Sequence, residues 1–179
     1  SELDEILERL KEVLERVKRK LEESNRRLEE VLDRVLKKLT ESVKRLEDEL
    51  RRVLKELREN NRPDDRLKEK VERVREESEE MRDRLRRLIE RVREESKRIL
   101  EELERRAREV KKRAEDVRRR GKPIEEIKKD VERIVRELED LVRRHEKRVE
   151  DIVRELEKIV RDHNERLKEI VRRAEEDVR

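Results

Sequence analysis

VLERVKRKLEES at residues 13–24 and VLDRVLKKLTES at 31–42 are one pattern written twice, eighteen residues apart. The stride continues on both sides. Leu3, Leu21, Leu39 and Leu57 form one series, and Leu10, Leu28 and Leu46 a second. Leu14, Leu32 and Leu50 form a third, and Val17, Val35 and Val53 a fourth. Further along, Leu67, Leu85 and Leu103 keep the same interval, as do Val74, Val92 and Val110, Ile134, Ile152 and Ile170, and Val135, Val153 and Val171. Within each repeat the apolar steps alternate between four and three, which is the signature of a helix face. Eighteen residues make five whole turns at about 3.6 per turn. A seven-residue repeat winds left-handed and an eleven-residue repeat right-handed, so one of each leaves the apolar stripe without drift. The expected helices are therefore nearly straight.

The composition permits this reading and little else. Of 179 residues 61% are charged, a proportion that gives disorder when apolar residues are scattered and long helices when they are periodic. Here they are periodic. The 57 basic and 53 acidic residues leave a net charge of +4, and both signs alternate along every segment. That makes a solvated, ion-paired surface rather than the one-sided basic face of a nucleic-acid binder, and no Phe, Trp or Tyr is present to stack on bases. With no cysteine there can be no disulfide, thiolate zinc site or thiol chemistry. No apolar run approaches the ~18 residues of a membrane span, and SELDEILERL lacks a signal-peptide pattern. The expectation is a soluble chain with no readable address and no nucleic-acid, membrane, small-molecule or cofactor partner.

The single glycine and the two prolines fall where helices should break. In RENNRPDD, 58–65, Asn60 or Asn61 can take the left-handed conformation that ends a helix. Pro63 suits the first turn of the next helix, and Asp64 and Asp65 place negative charge at its positive end. In RRRGKPIEE, 118–126, Gly121 stops a helix, Pro123 restarts one, and Glu125 and Glu126 complement the new N-terminus. Three helices follow, at about 2–59, 64–119 and 123–178, with turns at about 60–63 and 120–122. At ~1.5 Å per residue each would run about 85 Å. Turns this short make neighbours antiparallel. The expected fold is all-α: one long, nearly straight, antiparallel three-helix bundle, up-down-up, over residues 1–179.

Such regularity resembles computationally designed helical bundles with buried hydrogen-bond networks. The resemblance covers the whole chain and rests on the 13–24 pattern, on VREESEE/VREESKR at 74–80 and 92–98, and on IVRELED/IVRELEK at 134–140 and 152–158. Natural three-helix repeats of the spectrin type have shorter helices and carry aromatic residues. The resemblance implies a structural scaffold without a natural biochemical activity.

Polar residues interrupt the apolar stripe at the same interval. Ser24 and Ser42 lie in the first helix, Ser78 and Ser96 in the second, and His145 and His163 in the third, where the preceding repeat has Ile127. Asn25 stands where neighbouring repeats have Leu7 and Val43. A turn near 60–63 pairs first- and second-helix residues whose numbers total about 120–123, and Ser24 with Ser96 and Ser42 with Ser78 both total 120. A turn near 119–123 pairs second- and third-helix residues totalling about 242, and Ser96 with His145 and Ser78 with His163 both total 241. One layer thus gathers Ser24 or Asn25, Ser96 and His145. The other gathers Ser42, Ser78 and His163, with Thr40 or Asn164 at its rim. A neutral imidazole has one donor and one acceptor, which hydroxyls can satisfy without any charge. Such layers specify register, because a slipped helix would set these groups against Leu and Val.

Neither histidine reads as a reagent. The serine–histidine pairs lack an orienting carboxylate, a pocket and an oxyanion hole, so no enzyme activity and no catalytic residue is expected. Eighteen residues, or about 27 Å of helix, separate the histidines, so one metal ion cannot use both. Protonation in a buried layer would make the chain pH-responsive.

Partner choice turns on apolar surplus. The first, second and third helices carry 20, 15 and 19 apolar residues, with doubled positions such as Val31/Leu32, Val53/Leu54, Ile134/Val135 and Ile159/Val160 on the outer two. A three-helix core uses a stripe that wide, which favours a monomer. The alternative is an interaction module, in which the first and third helices accept a partner helix or self-associate.

Overall fold

The computed structural model describes residues 1–62 and 64–178, with only the backbone of Val178. The chain is an all-α three-helix bundle: α1 Glu2–Glu59, α2 Asp65–Arg120 and α3 Glu125–Val178. The helix ends show why the chain breaks where it does. Ser1 caps α1, its hydroxyl accepting from the Asp4 amide at 3.3 Å and donating to the Asp4 carboxylate at 2.9 Å. Asp64 caps α2, its carboxylate accepting from the amides of Arg66 at 3.0 Å and Leu67 at 3.4 Å. Pro63, expected to open this helix, lies outside the described residues.

At the other ends the backbone turns left-handed, at Asn61 with φ 55° and at Gly121 with φ 65°. Beyond each, an amide reaches back to a carbonyl in the last turn, Arg62 to Leu57 at 2.8 Å and Lys122 to Val117 at 3.3 Å. This six-to-one closure satisfies carbonyls that the ended helix leaves open. Pro123 precedes α3 rather than sitting in its first turn: the first bond of that helix runs from the Lys128 amide to the Ile124 carbonyl at 3.0 Å. Ile124 caps α3 with its backbone alone.

The helices contribute to two compact units, Ser1–Leu28 with Glu90–Asp151, and Glu29–Ile89 with Ile152–Arg179. In the first unit Leu10, Val17 and Leu21 of α1 pack with Leu103 and Val110 of α2 and Ile134 and Leu138 of α3. Ion pairs fix the direction of its segments. Arg118–Asp4 and Lys18–Glu104 join α1 to an antiparallel α2, and Arg106–Glu137 and Arg113–Asp130 join α2 to an antiparallel α3. In the second unit Leu39, Leu46 and Leu50 pack with Leu67 and Val74 and with Leu167 and Val171. There Arg75–Glu47 and Arg82–Thr40 join α1 to an antiparallel α2, and Lys70–Asp177 and Arg166–Glu77 join α2 to an antiparallel α3.

The apolar surplus of α1 and α3 is taken up inside these cores. Val31, Leu32, Ile134, Val135, Leu141, Val142 and Ile152 are buried, while Leu14, Val53, Leu54, Val153 and Ile159 are half-buried. Among the described residues the exposed large apolar side chain is Ile99, at 49%, and it belongs to α2. No described helix is long and apolar enough to cross a membrane.

Candidate functional site

The buried polar side chains are Ser42, Ser78, Ser96, His145, His163 and Glu47, in chains of leucine and valine. The hydrogen bonds place four of them in two layers, one in each unit, while Glu47 pairs with Arg75. In the first unit the Ser96 hydroxyl bonds Nδ1 of His145, and Nε2 of the same ring lies 3.0 Å from Asn25 Oδ1. One imidazole, 3% exposed, therefore ties α3 to α2 on one edge and to α1 on the other. The proton positions follow. Asn25 Oδ1 can only accept, so Nε2 carries the proton; in the neutral ring Nδ1 is then bare and Ser96 donates to it.

The layer in the second unit is built from the same letters and bonded differently. The Ser78 hydroxyl donates to the Val74 carbonyl one turn back, at 2.8 Å, and lies 3.2 Å from Nε2 of His163. A hydroxyl has one proton, and Val74 receives it. Ser78 must therefore accept from His163 Nε2–H, and Nδ1 of that ring is the unprotonated nitrogen.

Among the described residues Ser24 and Ser42 show no hydrogen bond to either histidine. Ser24 is half-buried, while Asn25, the next residue, makes the bond. Ser42 is buried but faces a groove between α1 and α3 that it shares with Asn164. The reason is rotation about the helix axis. Ser24 and Ser42 are one repeat apart and share a direction; Asn25 points about 100° further round, and its counterpart, Val43, has no polar group to offer His163. At the rim, Thr40 donates to the Leu36 carbonyl at 2.8 Å and accepts from Arg82, while Asn164 Oδ1 is buried without a donor.

Charged neighbours complete both layers, and nothing in the pattern marks them out because charge is everywhere. Arg148 pairs with Glu95 at 3.2 Å beside His145, and one repeat on Arg166 pairs with Glu77 at 3.1 Å beside His163. Burial lowers both histidines below their ordinary pKa, because an imidazolium loses its hydration there. Arg148 lowers His145 further. At His163 the Glu77 carboxylate opposes the effect of burial, and Arg166 adds to it.

The arrangement joins helices through hydrogen bonds at the two rings. Ser78 is 3% exposed and accepts a hydrogen bond from His163 while directing its own hydrogen to Val74, so the ring is not placed as a base for its hydroxyl. Ser96 has the donating geometry, but the amides around it are spent in the helix ladder and supply no oxyanion hole. No group of three or more His, Cys, Asp or Glu side chains poised for a metal ion occurs among the described residues. No protein-family model matches the chain, and no curated protein or solved structure matches it either.

Proposed function

We propose that the chain is a structural scaffold of designed type, with no biochemical activity of its own, whose register is specified by its two polar layers. The observation that carries this reading is His145, held at both ring nitrogens by residues of the two other helices. A one-residue slip of any helix would break one of those bonds inside an apolar core, at a cost of about 1–3 kcal/mol for the group left unpaired. Buried hydroxyl and imidazole groups contribute little net stability, so their value lies in excluding other registers. The 18-residue repetition of near-identical segments supports a designed origin.

Burial of the doubled positions on α1 and α3 supports a closed monomer over a module awaiting a partner helix. Light scattering on the eluting protein is expected to give 22.3 kDa; a multiple of that mass favours the interaction module. The layer itself is tested by replacing it with the apolar residues of neighbouring repeats, Asn25→Val, Ser96→Ala and His145→Ile together. The variant is expected to resist denaturant as well as the parent while losing uniqueness, seen as mixed masses or doubled amide resonances. A single mass and a single set of resonances would show that the layer specifies nothing.

A further inference from the structure

The repeat supplies both histidines with the same neighbours in sequence: a serine in α2, a glutamate just before it, and an arginine three residues after the histidine. The structure uses them differently. Glu95 is turned outward, with its side chain 45% exposed, whereas Glu77 is at 24% and its Oε2 is buried with no donor. Its other oxygen takes Arg166 at 3.1 Å.

Consider what a proton does at each ring. At His145 it must enter at Nδ1, where Ser96 already donates, so an existing bond has to reverse. The new charge then faces Arg148 of its own helix, whose partner Glu95 is exposed on α2. From α1, Lys18 and Glu22 line the groove at Asn25 and offer no net charge to offset it. At His163 the proton enters at Nδ1 while Ser78 already directs its own hydrogen to Val74, so no bond in the layer reverses. Glu77 on α2 supplies a buried carboxylate oxygen without a donor, and Arg166 is already engaged on the other oxygen. From α1, Lys38, Glu41 and Arg45 line the Asn164 side, joined there by Lys168 of α3.

We propose that His163 and Glu77 form a proton-accepting site, so that acid acts unequally on the two layers and loosens the one at His145 first. This deepens the scaffold reading and rests on it only in taking the layers as buried. Both rings sit below the ordinary value of ~6.5, so the stability each contributes is complete above that pH and is lost as pH falls through the folded values. The carboxylates that line the groove at His145, Glu95, Glu137 and Asp140, are each paired with an arginine, and none keeps a buried oxygen without a donor as Glu77 does.

The test is a pH titration of the parent chain, following the carbon-bound imidazole protons of each histidine by NMR. His163 is expected to titrate at the higher pH of the two. Glu77→Gln, which preserves shape and a hydrogen bond to Arg166, should lower the His163 midpoint severalfold in proton affinity and leave His145 in place. Arg166→Gln should raise it, which keeps the test decisive if the first variant folds poorly. Hydrogen exchange compared between pH 7.5 and 5, corrected for intrinsic rates, should quicken more at residues 138–149 than at 156–167. Equal midpoints, a reversed order, or a Glu77→Gln variant that moves both rings or neither would overturn the proposal. None of these outcomes depends on whether the layers specify register, which the apolar-layer variant decides separately.

Discussion

Replacing Asn25 by Val, the residue one repeat on, gives a prediction that separates a satisfied layer from a merely tolerated one. The change removes the acceptor of His145 Nε2–H. An orphaned buried donor costs about 1–3 kcal/mol. The ring can lessen this by moving its proton to Nδ1 and giving it to Ser96, which would send its own hydrogen to the Val92 carbonyl as Ser78 does to Val74. The bare Nε2 then stands unpaired, which places the loss near 1–2 kcal/mol. Asn25 is only half-buried, so the new Val side chain returns about 0.5–1 kcal/mol of it. The net expectation is a destabilisation of about 1 kcal/mol.

His145→Ile behaves oppositely. Ile127 holds the equivalent place one repeat earlier and is 2% exposed, so the site accepts that side chain. Ser96 can turn to its own helix and half-buried Asn25 can reach water, leaving nothing orphaned. The single change is expected to be neutral or stabilising, and the double variant more stable than the parent by about 1 kcal/mol. The resulting coupling is about 1–2 kcal/mol. Guanidinium denaturation followed by circular dichroism at pH 7.5 reads it, with 1 kcal/mol moving the midpoint by about 0.25 M for a slope on the order of 4 kcal/mol/M. If Asn25→Val leaves the midpoint in place, or the two changes simply add, the bonding assigned to His145 is wrong.

Other expectations follow from the same geometry. Leu156→Ala empties a wholly buried site and should cost about 2–5 kcal/mol by denaturant midpoint. Gly121→Ala meets no neighbouring atom within 4 Å, so only its left-handed backbone resists; calorimetry should show a loss of about 1 kcal/mol, with Gly121→Asn losing less. Val43→Asn places an amide beside His163 at the position Asn25 occupies beside His145, and should cost about 1 kcal/mol less than Val35→Asn. Denaturation midpoints should fall between pH 7.5 and 5 in the parent and stay level in a His145→Asn, His163→Asn double variant. A parent curve that also stays level would refute that pH dependence.

Much of this was legible because a repeat of five whole turns fixes height along a helix. Ser96 meets His145 and Ser78 meets His163, as the turn arithmetic expects, and Asn61 and Gly121 end their helices. Height is not direction, however. Ser24 and Ser42 stand at the right level and face the wrong way, whereas Asn25, offset by one residue, faces the ring. The Glu77 carboxylate was invisible for a different reason. In a chain where most residues are charged, one glutamate turned inward looks like every glutamate turned outward, and only its packing distinguishes it.

The Ser78 bond to Val74 means that the two layers run with opposite polarity. In one, donation passes from α2 through the ring to α1: Ser96 to His145 to Asn25. In the other it starts at the ring and ends in the backbone of α2: His163 to Ser78 to Val74. Two serines that close the same five residues, VREES at 74–78 and at 92–96, are therefore chemical opposites, one donating a hydrogen bond to its histidine and the other accepting one. Truncation to alanine strands a lone pair at His145 and an N–H at His163. A substitution rule learned in one repeat changes sign in the next.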